Sequence, residues 1–205
     1  MNSSIQMQAV VESPYDAGEF LCPWPVPEFK PLSMIRLWGE MTYPEIGLVF
    51  AQLARYNQIE LANNKHTVLE QILEAESLVL PGGIQIVSEA KVIPPSCCCG
   101  LETWREWIDF LQTGYSPWLG HDPSPWVERQ GTIIRIWSDG GLEPMRDAFN
   151  IDVSQPEFEK ALMGVERELQ AFLFSIESWA QDIGVAEPNQ LFQKFDHCFN
   201  IRKAA

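Results

Sequence analysis

Residues 154–184 read SQPEFEKALMGVERELQAFLFSIESWAQDIG. Phe158, Leu162, Val165, Leu169, Phe172, Ile176, Trp179 and Ile183 recur at alternating spacings of four and three. That spacing places them on one stripe of a long amphipathic helix. Ser154-x-x-Glu157 is a capping box with Pro156 in the first turn, where its missing N–H costs nothing. Gly184 stands at the C′ position and Pro188 blocks continuation. Gly164 costs about 1 kcal/mol relative to alanine inside such a helix, which suggests the close approach of a neighbour. A heptad-like stripe also fits a coiled coil, but the heptads are few and the aromatics bulky, so we read it as intramolecular core.

Working outward, two more capping boxes predict helix starts. Thr42-x-x-Glu45 leads into Ile46, Val49, Phe50 and Leu53, and Thr67-x-x-Glu70 leads into Leu69, Ile72 and Leu73. A last helix is expected over Asn189–Phe199, packed through Leu191, Phe192, Phe195 and Phe199.

Strand material lies between the helices. Met34–Trp38 alternates like a short strand. Leu78–Leu80 and Ile84–Val87 flank Pro81-Gly82-Gly83 and read as a hairpin or two sheet edges. Trp126–Glu128 and Thr132–Trp137 flank a turn near Gln130-Gly131 and read as a second hairpin. Hairpins and helices are segregated without a βαβ rhythm, so the expected class is α+β. We expect a single domain over 1–205, with an extended proline-rich lead-in at 1–33, a mixed α+β core at 34–150 and a helical part at 151–205. The prolines at 14, 23, 25, 27 and 31 hold the lead-in extended, and Trp24 and Phe29 are the residues expected to pin it. Order is expected beyond the first dozen or so residues.

Composition limits the function classes. The 205 residues carry 28 acids against 14 bases, a formal net charge of −14. The excess is diffuse: seven acids against three bases in residues 1–64, and nine against five in 151–205. No Lys/Arg run is present, so no nucleic-acid partner is expected. The same field repels anionic lipid, no stretch approaches ~18 apolar residues, and no membrane role is expected. Met1–Met7 lacks a basic region followed by an apolar one, so the chain reads as cytoplasmic. Five cysteines, three of them consecutive, do not make a disulfide framework and suit a reducing compartment.

Chemistry is concentrated in Pro94–Trp137. Cys97, Cys98 and Cys99 fall just before a helix expected to start near Leu101, with Leu101, Trp104, Trp107, Ile108 and Leu111 on its buried face. Arg105 is spaced to pair with Glu102 or Asp109. A helix N-terminus there would lower the pKa of a thiol at Cys98 or Cys99. The triplet has three readings. Cys98 or Cys99 can act as a nucleophile with His121 as base and Asp122 or Glu102 as orienter. Cys97 and Cys99 with His121, and Asp122 as a further donor, can hold a metal, although the spacing matches no standard zinc framework and adjacent thiolates are awkward around one ion. Most often, such cysteines simply fill a tight loop as small apolar residues, here against Trp104 and Trp118. No metal or other cofactor is therefore expected.

Ser116-Pro117-Trp118 recurs as Ser124-Pro125-Trp126 around Gly120-His121-Asp122-Pro123. Trp118 and Trp126, with His121 between them, can form an aromatic anchor for a protein partner, or can serve the loop's own packing. His66 is expected to face solvent, and His197 lies on the last helix without an identifiable partner. Gly-rich phosphate loops, GxSxG, HExxH and EF-hand patterns are absent.

The strings CCCGLETWREW at 97–107 and WLGHDPSPWVE at 118–128 resemble a group of uncharacterised bacterial proteins, over about Leu80–Trp137. The resemblance implies a bacterial, cytoplasmic setting and no mechanism. The acidic, aromatic-looped character is also similar in style to immunity proteins of bacterial toxin systems. The expected function is thus a protein-binding, immunity- or adaptor-like module using the Trp-rich loop, leaning away from an enzyme. The alternative is a thiol-dependent or metal-assisted enzyme centred on Cys97–Cys99 and His121.

Overall fold

The computed structural model describes residues 5–16 and 21–202. Residues 1–4 and 17–20 of the expected lead-in, and 203–205, lie outside the described residues. The class is α+β. In chain order the elements are β1 (Gln6–Glu12), β2 (Met34–Arg36), α1 (Tyr43–Tyr56), α2 (Lys65–Glu74), β3 (Gly82–Val87), β4 (Val92–Ile93), a 3-10 turn (Leu101–Thr103), α3 (Glu106–Thr113), β5 (Trp126–Gln130), β6 (Ile133–Trp137), β7 (Asn150–Ser154), α4 (Gln155–Asp182) and α5 (Pro188–Phe199). Among the described residues no helix is long and apolar enough to cross a membrane.

The chain divides into two compact units, one of the residues up to Val10 with Gly82–Arg167, the other of Val11–Pro81 with the residues from Glu168 on. In the first unit β1, β3 and β4 are neighbours in that order, with β3 and β4 antiparallel through Ile86–Ile93 and Val87–Val92. The hairpin partner predicted for β3, Leu78–Leu80, is not a strand and belongs to the second unit. Its backbone is held there by side chains: the Asn57 carboxamide donates to Val79 O at 2.8 Å and accepts from Val79 N at 3.0 Å. Leu78 and Leu80 are buried without needing a sheet.

The first unit's other sheet is β5–β6–β7, antiparallel throughout. The β5–β6 hairpin matches the sequence expectation, with Gly131 at φ 64° in its turn. β7 was not anticipated, although Ile151 and Val153 alternate inward within NIDVS. Nor was β1 anticipated, where Met7, Ala9, Val10 and Val11 are buried. The helix expected from Leu101 splits into the 3-10 turn and α3, and Trp107 and Phe110 are the buried residues of α3, both against Phe158 at 5.9 and 5.8 Å between centroids. Ile108 and Leu111 are only half-buried. Arg105 pairs with Glu166 at 3.6 Å.

In the second unit the α1 capping box forms, with Glu45 Oε2 accepting from Thr42 N and Thr42 Oγ1, both at 2.7 Å. α2 begins two residues before Thr67: Asn64 is its cap, accepting from Thr67 N at 3.1 Å. Asparagine reaches the same orphan amide as threonine, so two caps competed within four residues and the earlier prevailed. Trp24 pins the lead-in, donating to Gly47 O at 2.8 Å and meeting Trp179 edge-on at 5.5 Å. Phe50 stacks on Trp179 at 4.6 Å, and Phe195 packs against Phe50, Phe172 and Phe199.

α4 runs from the first unit into the second, and its stripe from Phe158 to Trp179 is at most 4% exposed. Core, not a coiled-coil seam, is its role. Ser154 Oγ donates to Glu157 Oε2 at 2.6 Å, and Gly184 closes the helix at φ 76°. Gly164 permits no close approach, since the nearest atom to an added Cβ is Arg167 Nη2 at 4.0 Å.

Candidate functional site

Two loops of the first unit form the site. One, between β4 and the 3-10 turn, carries the cysteine triplet. The other, between α3 and β5, carries His121 and Asp122. Neither is a regular element, so their alignment depends on the bonds that lace them. Ser96 N donates to Leu119 O at 2.7 Å and His121 N to Cys97 O at 3.2 Å. Trp118 Nε1 donates to Cys98 O at 3.0 Å, and Trp118 N to Glu106 Oε2 at 2.7 Å. Cys99 O accepts from Gly82 N at 3.0 Å, anchoring the triplet to β3.

Gly120 makes the close crossing possible. Its φ is 104°, and an added Cβ would lie 2.5 Å from Ser96 C and 2.6 Å from Cys97 O. Only glycine fits there.

Cys98 adopts a left-handed backbone, φ 63°, and the three cysteines do not share one face. Cys97 and Cys98 are exposed, with sulfurs 3.5 Å apart, and Cys99 is buried. Cys99 Sγ donates to Trp118 O at 3.4 Å and lies 3.9 Å from Thr103 Oγ1. Burial pushes its thiol up to about 11. Cys99 therefore fills the loop and is not the residue facing His121.

Cys98 is. Its Sγ is 3.2 Å from His121 Nε2, and His121 Nδ1 is 3.0 Å from Asp122 Oδ2. A carboxylate can only accept, so Nδ1 carries a proton, leaving Nε2 to accept from a thiol or donate to a thiolate. The hydrogen bond from His121, followed by that from Cys97, lowers the Cys98 pKa below its ordinary value. The bond to Cys98, followed by that to Asp122, raises the His121 pKa. Both shifts favour thiolate beside imidazolium. The cause is the imidazole, not the helix end expected from sequence, because a 3-10 turn and α3 replace one helix starting at Leu101.

Trp118, 38% exposed, has its ring 6.5 Å from that of His121. Trp126 does something else: it stands opposite Trp137 in the β5–β6 register and stacks on it at 6.1 Å and 8°. The two SPW units thus part company, one at the thiol, the other in the sheet. Pro123, joined to Asp122 by a cis peptide, lines a cleft of about 300 Å³ with Ile93, Pro94, Asp139, Met145 and Phe149. No sequence signal pointed to that cleft. His66 and His197 are exposed on α2 and α5.

Comparison with known protein families, curated proteins and solved structures found no match. Function is therefore read from the geometry of the two loops.

Proposed function

We propose that the chain is a thiol-dependent enzyme in which Cys98 is the nucleophile, His121 its base and Asp122 the group that orients the ring. The observation that carries this reading is the pair of contacts on one imidazole, 3.2 Å to Cys98 Sγ and 3.0 Å to Asp122 Oδ2. Nucleophile, base and orienter within hydrogen-bond reach are the arrangement that activates a weak nucleophile. The sulfur is exposed, as attack on an external electrophile requires. We take the cleft lined by Pro123, which follows Asp122 in the chain, and by Ile93, Pro94, Asp139, Met145 and Phe149 as the seat for the rest of a substrate.

The test is alkylation of reduced, chelator-treated protein with iodoacetamide at neutral pH, mapped by mass spectrometry. Cys98 should be modified ahead of Cys22 and Cys198, and His121→Ala should slow it by roughly tenfold or more. An unchanged rate in His121→Ala sinks the reading.

A second reading is recognition of another protein through the 116–126 loop. Trp118 and Tyr115, 38% and 81% exposed, favour it. Trp126 adds little, since it is engaged by Trp137. A Trp118→Ala protein that keeps Cys98 reactivity and loses a defined partner would favour this reading over the first.

A further inference from the structure

We infer that Cys97, Cys98 and His121 form a three-donor site for a thiophilic divalent cation of the zinc class, with one coordination position left open. The two sulfurs are 3.5 Å apart, His121 Nε2 is 3.2 Å from Cys98 Sγ, and donor atoms of the three residues lie within 4.8 Å of one another. A tetrahedral ion with metal–sulfur bonds of about 2.3 Å and metal–nitrogen bonds of about 2.1 Å needs S···S and S···N edges of about 3.8 and 3.6 Å. The Cys97–Cys98 and Cys98–His121 edges need to open by only a few tenths of an ångström to receive it, and the Cys97–His121 edge lies within the 4.8 Å that spans the three donors.

Adjacent cysteines rarely serve one ion, because an extended backbone sends successive side chains to opposite faces. The left-handed Cys98 backbone removes that obstacle by bringing both sulfurs to one side. Asp122 completes the arrangement from behind. A carboxylate on Nδ1 fixes the tautomer that presents the Nε2 lone pair to a metal, the usual outer-shell partner of a ligating histidine.

Donor chemistry selects the ion. Two thiolates and an imidazole suit zinc and its softer neighbours and disfavour magnesium and calcium, which take oxygen ligands. Two thiolates neutralise a divalent charge, and the chain's net charge of −14 draws cations toward it. Both cysteines are exposed, so an ion enters from solvent. On binding, the Cys97 S–H proton and the proton shared by Cys98 and His121 Nε2 pass to solvent as two metal–sulfur bonds and one metal–nitrogen bond form.

The inference uses the same side chains as the thiol reading but does not need Cys98 to be a nucleophile. An ion seated there would occupy the Cys98 sulfur and shield it from electrophiles. The test is titration of reduced, chelator-treated full-length chain with cobalt(II), followed by displacement with zinc(II). The expected result is one cobalt per chain with a thiolate-to-cobalt charge-transfer band, lost on adding zinc, and zinc protection of Cys98 from iodoacetamide. Cys97→Ser, Cys98→Ser and His121→Ala should each weaken binding by roughly tenfold or more, and Asp122→Asn by a similar factor through the ring it orients. Cys99→Ser should retain the band. Circular dichroism of each variant confirms its fold, and Cys97→Ala repeats the Cys97 arm should the serine variant misfold. Absence of the band, or its persistence in folded Cys97→Ser or His121→Ala, overturns the site. If the band is absent while Cys98 still alkylates fast, the metal inference alone fails. If the band is present and alkylation of the metal-free protein is ordinary, the thiol reading alone fails.

Discussion

Cys98 Sγ lies 3.2 Å from His121 Nε2 across 23 residues of sequence. The contact exists because Ser96 pairs with Leu119 and Cys97 with His121 through the backbone, with Gly120 crossing between them. The Cys98 thiol is exposed, whereas Leu119 and Gly120 of that framework are buried.

The cysteines should react in a defined order. Burial holds Cys22 and Cys99 up to about 11, and the Cys98 thiol is held below its ordinary value by His121. At pH 8 in metal-free protein, a limiting dose of alkylating agent should label Cys98 well before Cys99. Peptide mapping reads the order, and Cys99 should become equally reactive only in denaturant.

Gly120→Ala should cost about 2 kcal/mol or more. The new methyl meets backbone atoms of Ser96 and Cys97 at 2.5–2.7 Å, and the φ of 104° is strained for alanine whatever the space. Urea denaturation measures the loss. The same variant should slow Cys98 alkylation, because the triplet is displaced from His121. Wild-type stability would show that the two loops are not laced at this point.

Gly164→Ala should do the opposite and stabilise the protein by up to about 1 kcal/mol. The position lies within α4, and nothing comes closer to an added Cβ than Arg167 Nη2 at 4.0 Å. A rise in the urea midpoint at unchanged slope is expected. A fall would mean a neighbour needs this glycine.

Asp152 should contribute a small acid-sensitive increment to stability. Arg135 Nε and Nη2 each donate to its carboxylate at 2.7 Å, and that hydrogen bonding lowers its pKa below the ordinary value of 3.8. A depressed folded-state pKa gives stability that is complete above the ordinary value and is lost as pH falls through the depressed one. Asp152→Asn should therefore melt lower than wild type at neutral pH, with the gap closing below pH about 4. The pair is partly exposed, so the gap should be small. A gap constant down to pH about 2 would assign the effect to something other than the charge.

Much of the fold was legible from local rules. The α4 stripe, the Thr42 capping box, the Ser154–Glu157 contact, the Gly184 stop, the α5 packing residues and the β5–β6 hairpin each rest on interactions within a few residues. Three of the misses share one cause. β1 and β7 exist because distant strands accept their backbones, and Leu78–Leu80 is coil because the Asn57 side chain takes the place of a strand partner. The α2 start moved because Asn64 and Thr67 can both cap, and spacing alone does not rank them.

The residue types at the site were determined by the sequence alone: a cysteine triplet, a His-Asp pair in a loop, a loop glycine and tryptophans, all near one another in the chain. Which sulfur meets the imidazole was decided only by the tertiary structure. Three adjacent cysteines are equivalent until a left-handed turn at Cys98 sends one inward and two outward, and until Gly120 lets the second loop close onto the first. Both events depend on backbone bonds that join Ser96 and Cys97 to Leu119 and His121, with α3 and its flanking turns lying between them in the chain. Local periodicity does not encode such contacts. They form once the surrounding core fixes where each loop must begin and end.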